Sequence, residues 1–120
     1  MISQGPDKFD VKVMTENFLD QLPIALTVFD TDNHIVYYNA YAGELLNRKP
    51  EHIGRDVRLC HTTPDSKARL AEILDDIKNG RSKQIRYEAN PYGMPLIVTV
   101  APLTIDGRFA GYVQAVVKKP

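Results

Sequence analysis

Between Ile24 and Phe29 the chain alternates, and both alternating sets hold apolar residues: Ile24, Leu26 and Val28 on one, Ala25, Thr27 and Phe29 on the other. A period of two over this length predicts a strand. Asp30-Thr31-Asp32-Asn33 follows, four short polar residues of the kind that bond their own backbone and make turns. Ile35 to Tyr38 is β-branched and aromatic, so the chain is expected to return as a second strand. Asn39 is a good N-cap for a helix over residues 40–47, with Leu45 and Leu46 toward the core.

The pattern differs before and after this hairpin. Residues 1–6 read as a lead-in, and Asp7 as the cap of a helix from Lys8 to Leu22, ended by Pro23. Phe9, Val13, Met14 and Phe18 lead its apolar stripe, joined by Val11, Leu19 and Leu22. That stripe needs a surface, supplied by the domain or by another copy of the chain. Further on, Pro50 suits the start of a short turn closed by Gly54. Thr63, Pro64 and Asp65 open the clearest helix, with Leu70, Ile73, Leu74 and Ile77 as its stripe and Gly80 as its stop. Three strands close the chain: Ser82 to Ala89, Leu96 to Ile105 with Pro102 marking an edge or a bulge, and Phe109 to Val117. Asp106-Gly107 between the last two is a hairpin signal. Strands, then helices, then strands indicate an α+β fold with helices against an antiparallel sheet.

Composition narrows the function classes. The chain has 120 residues, one domain's worth, with 43% hydrophobic and 25% charged residues, ordinary values for a globular domain. Lys plus Arg and Asp plus Glu balance at 15 each, so charge suggests neither nucleic acid nor an anionic membrane as partner. The single cysteine, Cys60, forbids an intramolecular disulfide. No apolar run is long enough to insert in a membrane, and the N-terminus lacks the regions of a signal peptide, so the expected location is cytoplasmic. No nucleophile elbow, phosphate loop or HExxH pair is present, and no enzyme is expected.

The order of these elements resembles a PAS domain over about residues 17–117. The resemblance rests on Leu22-Pro23-Ile24 before a strand, on the turn and strand Asp30 to Asn39, on the Ile53-Gly54-Arg55 corner, on the long helix, and on the closing Asp106-Gly107 and Gly111-Tyr112-Val113 hairpin. It implies a five-stranded antiparallel sheet of order 2-1-5-4-3, with the helices of residues 40–79 across one face. Residues 1–22 are then lead-in and amphipathic helix, and residues 23–118 the PAS domain. It also implies a sensory module that binds a small molecule or cofactor between sheet and helices. Such a module signals as a homodimer through the leading helix, at Phe9, Val13, Met14 and Phe18, to a kinase, a cyclic-dinucleotide enzyme or a transcription regulator. A ligand-free dimerisation or docking module is the alternative. The expected pocket residues are Leu26, Val28, Tyr38, Tyr41, Leu46, Val57, Leu59, His61, Leu70, Leu74, Val98, Val100 and Val113. A filled core without a cavity is equally open. Arg55 and Lys67 are further candidates for its mouth.

Residues 54–70, with Cys60-His61 and Pro64, are similar to a PAS subgroup that includes haem-binding, carbon-monoxide-responsive regulators. By that resemblance His61 would be an axial ligand to haem iron. The other reading is a side chain that bonds a backbone carbonyl and orders the start of the long helix. This chain departs from the subgroup at Thr62, where the pattern has proline, and has no cysteine between Gly80 and Gly93. Met94 is a candidate for the opposite axial ligand. Cys60 reads as a small buried hydrophobe.

Overall fold

The computed structural model describes residues 17–60 and 63–120. After a helical segment at residues 17–21, the chain forms β1 (Ala25–Phe29), β2 (Ile35–Tyr38), the short helix α1 (Ala40–Leu45), the long helix α2 (Pro64–Lys78), β3 (Ile85–Ala89), β4 (Leu96–Ile105) and β5 (Arg108–Lys118). Single 3-10 turns occupy Pro50–His52, Val57–Cys60 and Pro91–Gly93. The five strands make one antiparallel sheet of order β2-β1-β5-β4-β3, and the helices lie on one face of it. No helix among the described residues is long and apolar enough to cross a membrane.

Local chemistry sets the boundaries. Asp30 Oδ1 accepts from the N–H groups of Asp32 and His34, both at 2.9 Å, and closes the first hairpin. Thr63 Oγ1 accepts from Ser66 N at 3.1 Å and caps α2. Asp106 and Gly107 both take positive φ, 52° and 77°, as a two-residue turn matched to the twist of the flanking strands requires. Pro102 lies within β4 beyond Val100, the last residue of β4 that pairs with β3. The outer side of β4 has no neighbouring strand there, so a residue without an N–H costs no ladder bond. The free edge of β2 is covered locally. Ile35 N donates to Arg55 O at 2.9 Å, Gly54 N donates to Ile35 O at 2.7 Å, and Val57 N donates to Asn33 O at 2.8 Å.

The core sits between the inner sheet face and the helices. Leu70, Ile73, Leu74 and Ile77 of α2 are buried against Phe29, Leu96, Val98, Val100, Tyr112 and Val116. Tyr112 anchors the helix: its hydroxyl donates to the Leu74 carbonyl at 3.2 Å, and its ring meets Phe109 edge-on at 5.2 Å. The leading helix is tied in through Asn39, which is fully buried. Its Oδ1 accepts from Leu26 N and Ala42 N, and its Nδ2 donates to Leu19 O and Ile24 O. One side chain thus joins that helix, β1 and α1.

Strand parity corrects the sequence expectation in β1 and β5. Ala25, Thr27 and Phe29 face the helices, so Leu26 and Val28 lie on the opposite face. Tyr112, Gln114 and Val116 do the same in β5 and place Val113 outside. The reason is steric. α1 packs directly on β1, and Ala25 and Ala42 are both fully buried, which permits an approach that Leu26 would block.

Candidate functional site

A cleft of about 640 Å³ opens between the start of α2 and the inner face of β3, β4 and β5. Leu46, Leu70, Leu96, Val98 and Val116 form its apolar wall. Thr63, Asp65, Ser66 and Arg69 border it from the α2 side, and Tyr87, Ala89 and Asn90 from β3 and the turn beyond. Arg48 enters from the segment after α1, and Gln114 rises from the sheet.

The polar groups are arranged as a unit. Gln114 is 4% exposed, and its Oε1 accepts from Arg48 Nη2 at 3.2 Å. Beside it in the same cross-strand row stands Thr27, whose hydroxyl is buried with no hydrogen-bond partner among the described residues. On the other side of the cleft the Arg69 guanidinium lies over the Tyr87 ring, 4.4 Å from its centroid. Burial pushes the Tyr87 hydroxyl above its ordinary pKa, while the positive charges of Arg69 and Arg48 pull it back. Both guanidinium groups are therefore near enough to act on one phenol. Asp65 and Glu88, the acidic residues of the lining, are exposed, and Glu88 is paired with Lys119 Nζ at 2.9 Å.

The expected pocket residues divide. Leu46, Leu70 and Val98 line the cleft. Val57, Leu74 and Val100 are buried in the core and do not line it, while Tyr38 and Tyr41 pack against that core partly exposed. Leu26, Val28 and Val113 face away from it. Among the mouth candidates, Arg55 and Lys67 are exposed and outside the lining. His61, the side chains of Leu59 and Cys60, and Phe9, Val13 and Met14 lie outside the described residues. Phe18 is described and is 50% exposed. Met94 packs partly buried against the core and not on the cleft. Among the described lining residues there is no imidazole, thiolate or thioether.

Sequence reading passed over Arg48, Arg69, Tyr87 and Gln114. Gln114 carried a signal: it is a lone amide in the apolar run Tyr112-Val113-Gln114-Ala115-Val116. Arg48 carried none, since a basic residue after a short helix is ordinarily solvated.

A family model described as a PAS domain matches residues 15–118, and the chain belongs to the PAS domain family. Solved structures agree on the fold. The C-terminal domain of a Streptococcus mutans protein is 25% identical with a TM-score of 0.74, over 89% of this chain and 84% of that one. A sensory box sensor histidine kinase from Vibrio cholerae is 22% identical with a TM-score of 0.63, over 91% of this chain and 92% of that one. The PAS domain of a nitrogen regulation protein from Vibrio parahaemolyticus is 20% identical with a TM-score of 0.62, over 88% of this chain and 98% of that one. No curated protein matches the sequence at a significant level.

Proposed function

We propose that this PAS domain is a sensory module that binds a small molecule in the cleft beside α2 and passes the signal, as a dimer, to an output domain. In this reading residues 1–22 are the lead-in and dimerising helix and residues 23–118 the sensor. The carrying observation is the 640 Å³ cleft, large enough for a small organic ligand and lined by an apolar wall with a few convergent polar groups. The sensor histidine kinase among the similar structures favours a kinase as the output partner over a cyclic-dinucleotide enzyme or a transcription regulator.

Signalling would proceed by population shift. A ligand that binds one packing of α2 on the sheet more tightly than another moves the equilibrium by that difference in affinity. α2 is suited to this, because Tyr112 of β5 bonds its backbone at Leu74 while Arg69, one turn earlier, borders the cleft. Native mass spectrometry of protein purified from cells tests the reading, alongside a thermal-shift screen of small metabolites. Co-purified mass or reproducible stabilisation supports it, and the absence of both overturns it.

A ligand-free dimerisation module is the second reading, favoured by the outer sheet face. Leu26, Val28, Ile97, Val113 and Val117 are only partly buried there, and Phe18 is half exposed. Deleting residues 1–20 and measuring solution mass tests the role of the helix, and a dimer that persists unchanged refutes it. Haem ligation by His61 gains nothing from the described residues. A Soret band lost in His61→Ala would be its signature.

A further inference from the structure

We infer that Thr27 and Gln114 together form a polar contact point at the back of the cleft, and that they take one uncharged oxygen, a hydroxyl or a carbonyl, of a largely apolar ligand. This rests on the reading of the cleft as a ligand site. The buried polar side chains among the described residues are Thr27, Asn39 and Gln114. Asn39 is bonded at both ends of its amide, to backbone groups of Leu19, Ile24, Leu26 and Ala42. The other two stand directly opposite each other on β1 and β5. Cβ atoms at such a pair lie about 5 Å apart, near enough for a hydroxyl and an amide to bond. They do not bond here. Gln114 Oε1 accepts from Arg48 Nη2 at 3.2 Å, and the Thr27 hydroxyl has no hydrogen-bond partner although Thr27 is fully buried. Burying a hydroxyl in this way is unfavourable, and valine has the same shape without it. Ala25, Phe29 and Val116 beside it on the inner face are apolar, so packing alone does not call for a threonine.

Place and chemistry together set the group that these residues take. Gln114 lines the cleft, and Thr27 is its cross-strand neighbour one strand further in. At a fully buried hydroxyl, a neutral oxygen gives up less hydration than a charged group. A threonine hydroxyl both donates and accepts, as does a side-chain amide, so a hydroxyl or a carbonyl oxygen can satisfy them. Leu46, Leu70, Leu96, Val98 and Val116 select an apolar body for the rest of the ligand.

The test uses phenol and toluene, which match in shape and differ in a hydroxyl for a methyl, titrated into isotopically labelled protein and followed by amide NMR. Comparing each variant with the unaltered protein cancels the difference in hydrophobicity between the two probes. In Thr27→Val the ratio of phenol to toluene affinity is expected to fall about tenfold. Thr27→Ser keeps the hydroxyl and should hold that ratio within about threefold. Without any probe, Thr27→Val should melt no lower than the unaltered protein, since it removes a hydroxyl that makes no bond within the fold. An unchanged ratio in Thr27→Val overturns the inference and leaves the cleft a ligand site. A clearly lowered midpoint also overturns it, by showing that the hydroxyl serves the fold through a buried water. Binding of neither probe overturns the inference as well, and the metabolite screen then decides the cleft reading separately.

Discussion

Asn39 Nδ2 donates to the Leu19 carbonyl at 2.7 Å, so one fully buried amide fastens the end of the leading helix to the sheet. The same side chain bonds Leu26 N, Ala42 N and Ile24 O. A second bond beside it, from Ala40 N to Asp20 Oδ1 at 2.9 Å, ties the same helix to the start of α1. Asn39→Ala strands buried donors and acceptors in three segments at once. It should cost about 3 kcal/mol or more in urea unfolding, with the helix at residues 17–21 losing hydrogen-exchange protection first. Loss under about 1 kcal/mol would show that water replaces the network.

Among the described glycines, Gly111 leaves the least room for a side chain. Its φ is 145°, and a Cβ there would lie 2.1 Å from Phe29 O. Gly107 also has positive φ, 77°, but nothing lies within 4 Å of its Cβ position. Gly111→Ala should therefore destabilise by at least about 3 kcal/mol, and Gly107→Ala by only about 1 kcal/mol. Equal thermal midpoints for the two variants would contradict the β1–β5 spacing.

Strand parity is directly testable. Val100 is fully buried on the inner face, whereas Val113 is partly exposed on the outer one. Val100→Thr puts a hydroxyl where water cannot reach it and should cost about 1–3 kcal/mol. Val113→Thr should stay within about 0.5 kcal/mol, because solvent hydrates its hydroxyl. The reverse order in chemical denaturation would restore the sequence-based assignment of Val113 to the inside.

Alkaline pH should weaken the fold through Tyr112. Burial, helped by the Asp75 charge, raises its pKa above the ordinary 10.0. The folded state then keeps a proton that the unfolded chain releases. Its stability contribution is full below pH 10.0 and is lost as pH rises through the folded value. Tyr87 acts in the same direction, by burial. Tyr112→Phe should cost about 1 kcal/mol at neutral pH, through the lost bond to Leu74, and flatten the decline between neutral and alkaline urea melts.

Asp56 has the opposite sign. Hydrogen bonds from Arg58, with Nε at 2.9 Å from Oδ1, hold its carboxyl below the ordinary 3.8, against the opposing effect of burial. Its contribution is present above pH 3.8 and lost as pH falls through the lower folded value. Asp56→Asn should make acid unfolding less steep, and because the pair is partly exposed the change at neutral pH should be under about 1 kcal/mol.

Much of the fold was legible before any coordinates. The Thr63-Pro64 start of α2, its Leu70–Ile77 stripe, the Asp106-Gly107 turn and the cap at Asn39 are local signals, and the structure uses each of them. The site was less legible. Leu46, Leu70 and Val98 could be named because apolar residues at the right period must face something. Arg48 and Gln114 could not be paired, because they are far apart in the chain and meet only when the segment after α1 crosses the sheet.

β1 separates the two kinds of information most sharply. The sequence by itself determined that a strand precedes the turn at Asp30, since the period and the turn after it are properties of neighbouring residues. It also determined the family, because the order of turns, caps and stripes is a one-dimensional pattern. Which side of β1 faces inward was decided only by tertiary structure. Ala25, Thr27 and Phe29 compete with Leu26 and Val28, and both sets are apolar enough to be buried. A slip of one residue exchanges the faces, and hydrophobicity alone nearly balances the choice. Packing against α1 breaks the tie: the helix sits close to the strand only over small side chains, with Ala25 and Ala42 both fully buried. The same packing leaves Leu26 and Val28 to the outer face and turns Gln114 inward beside Thr27, where Arg48 meets it.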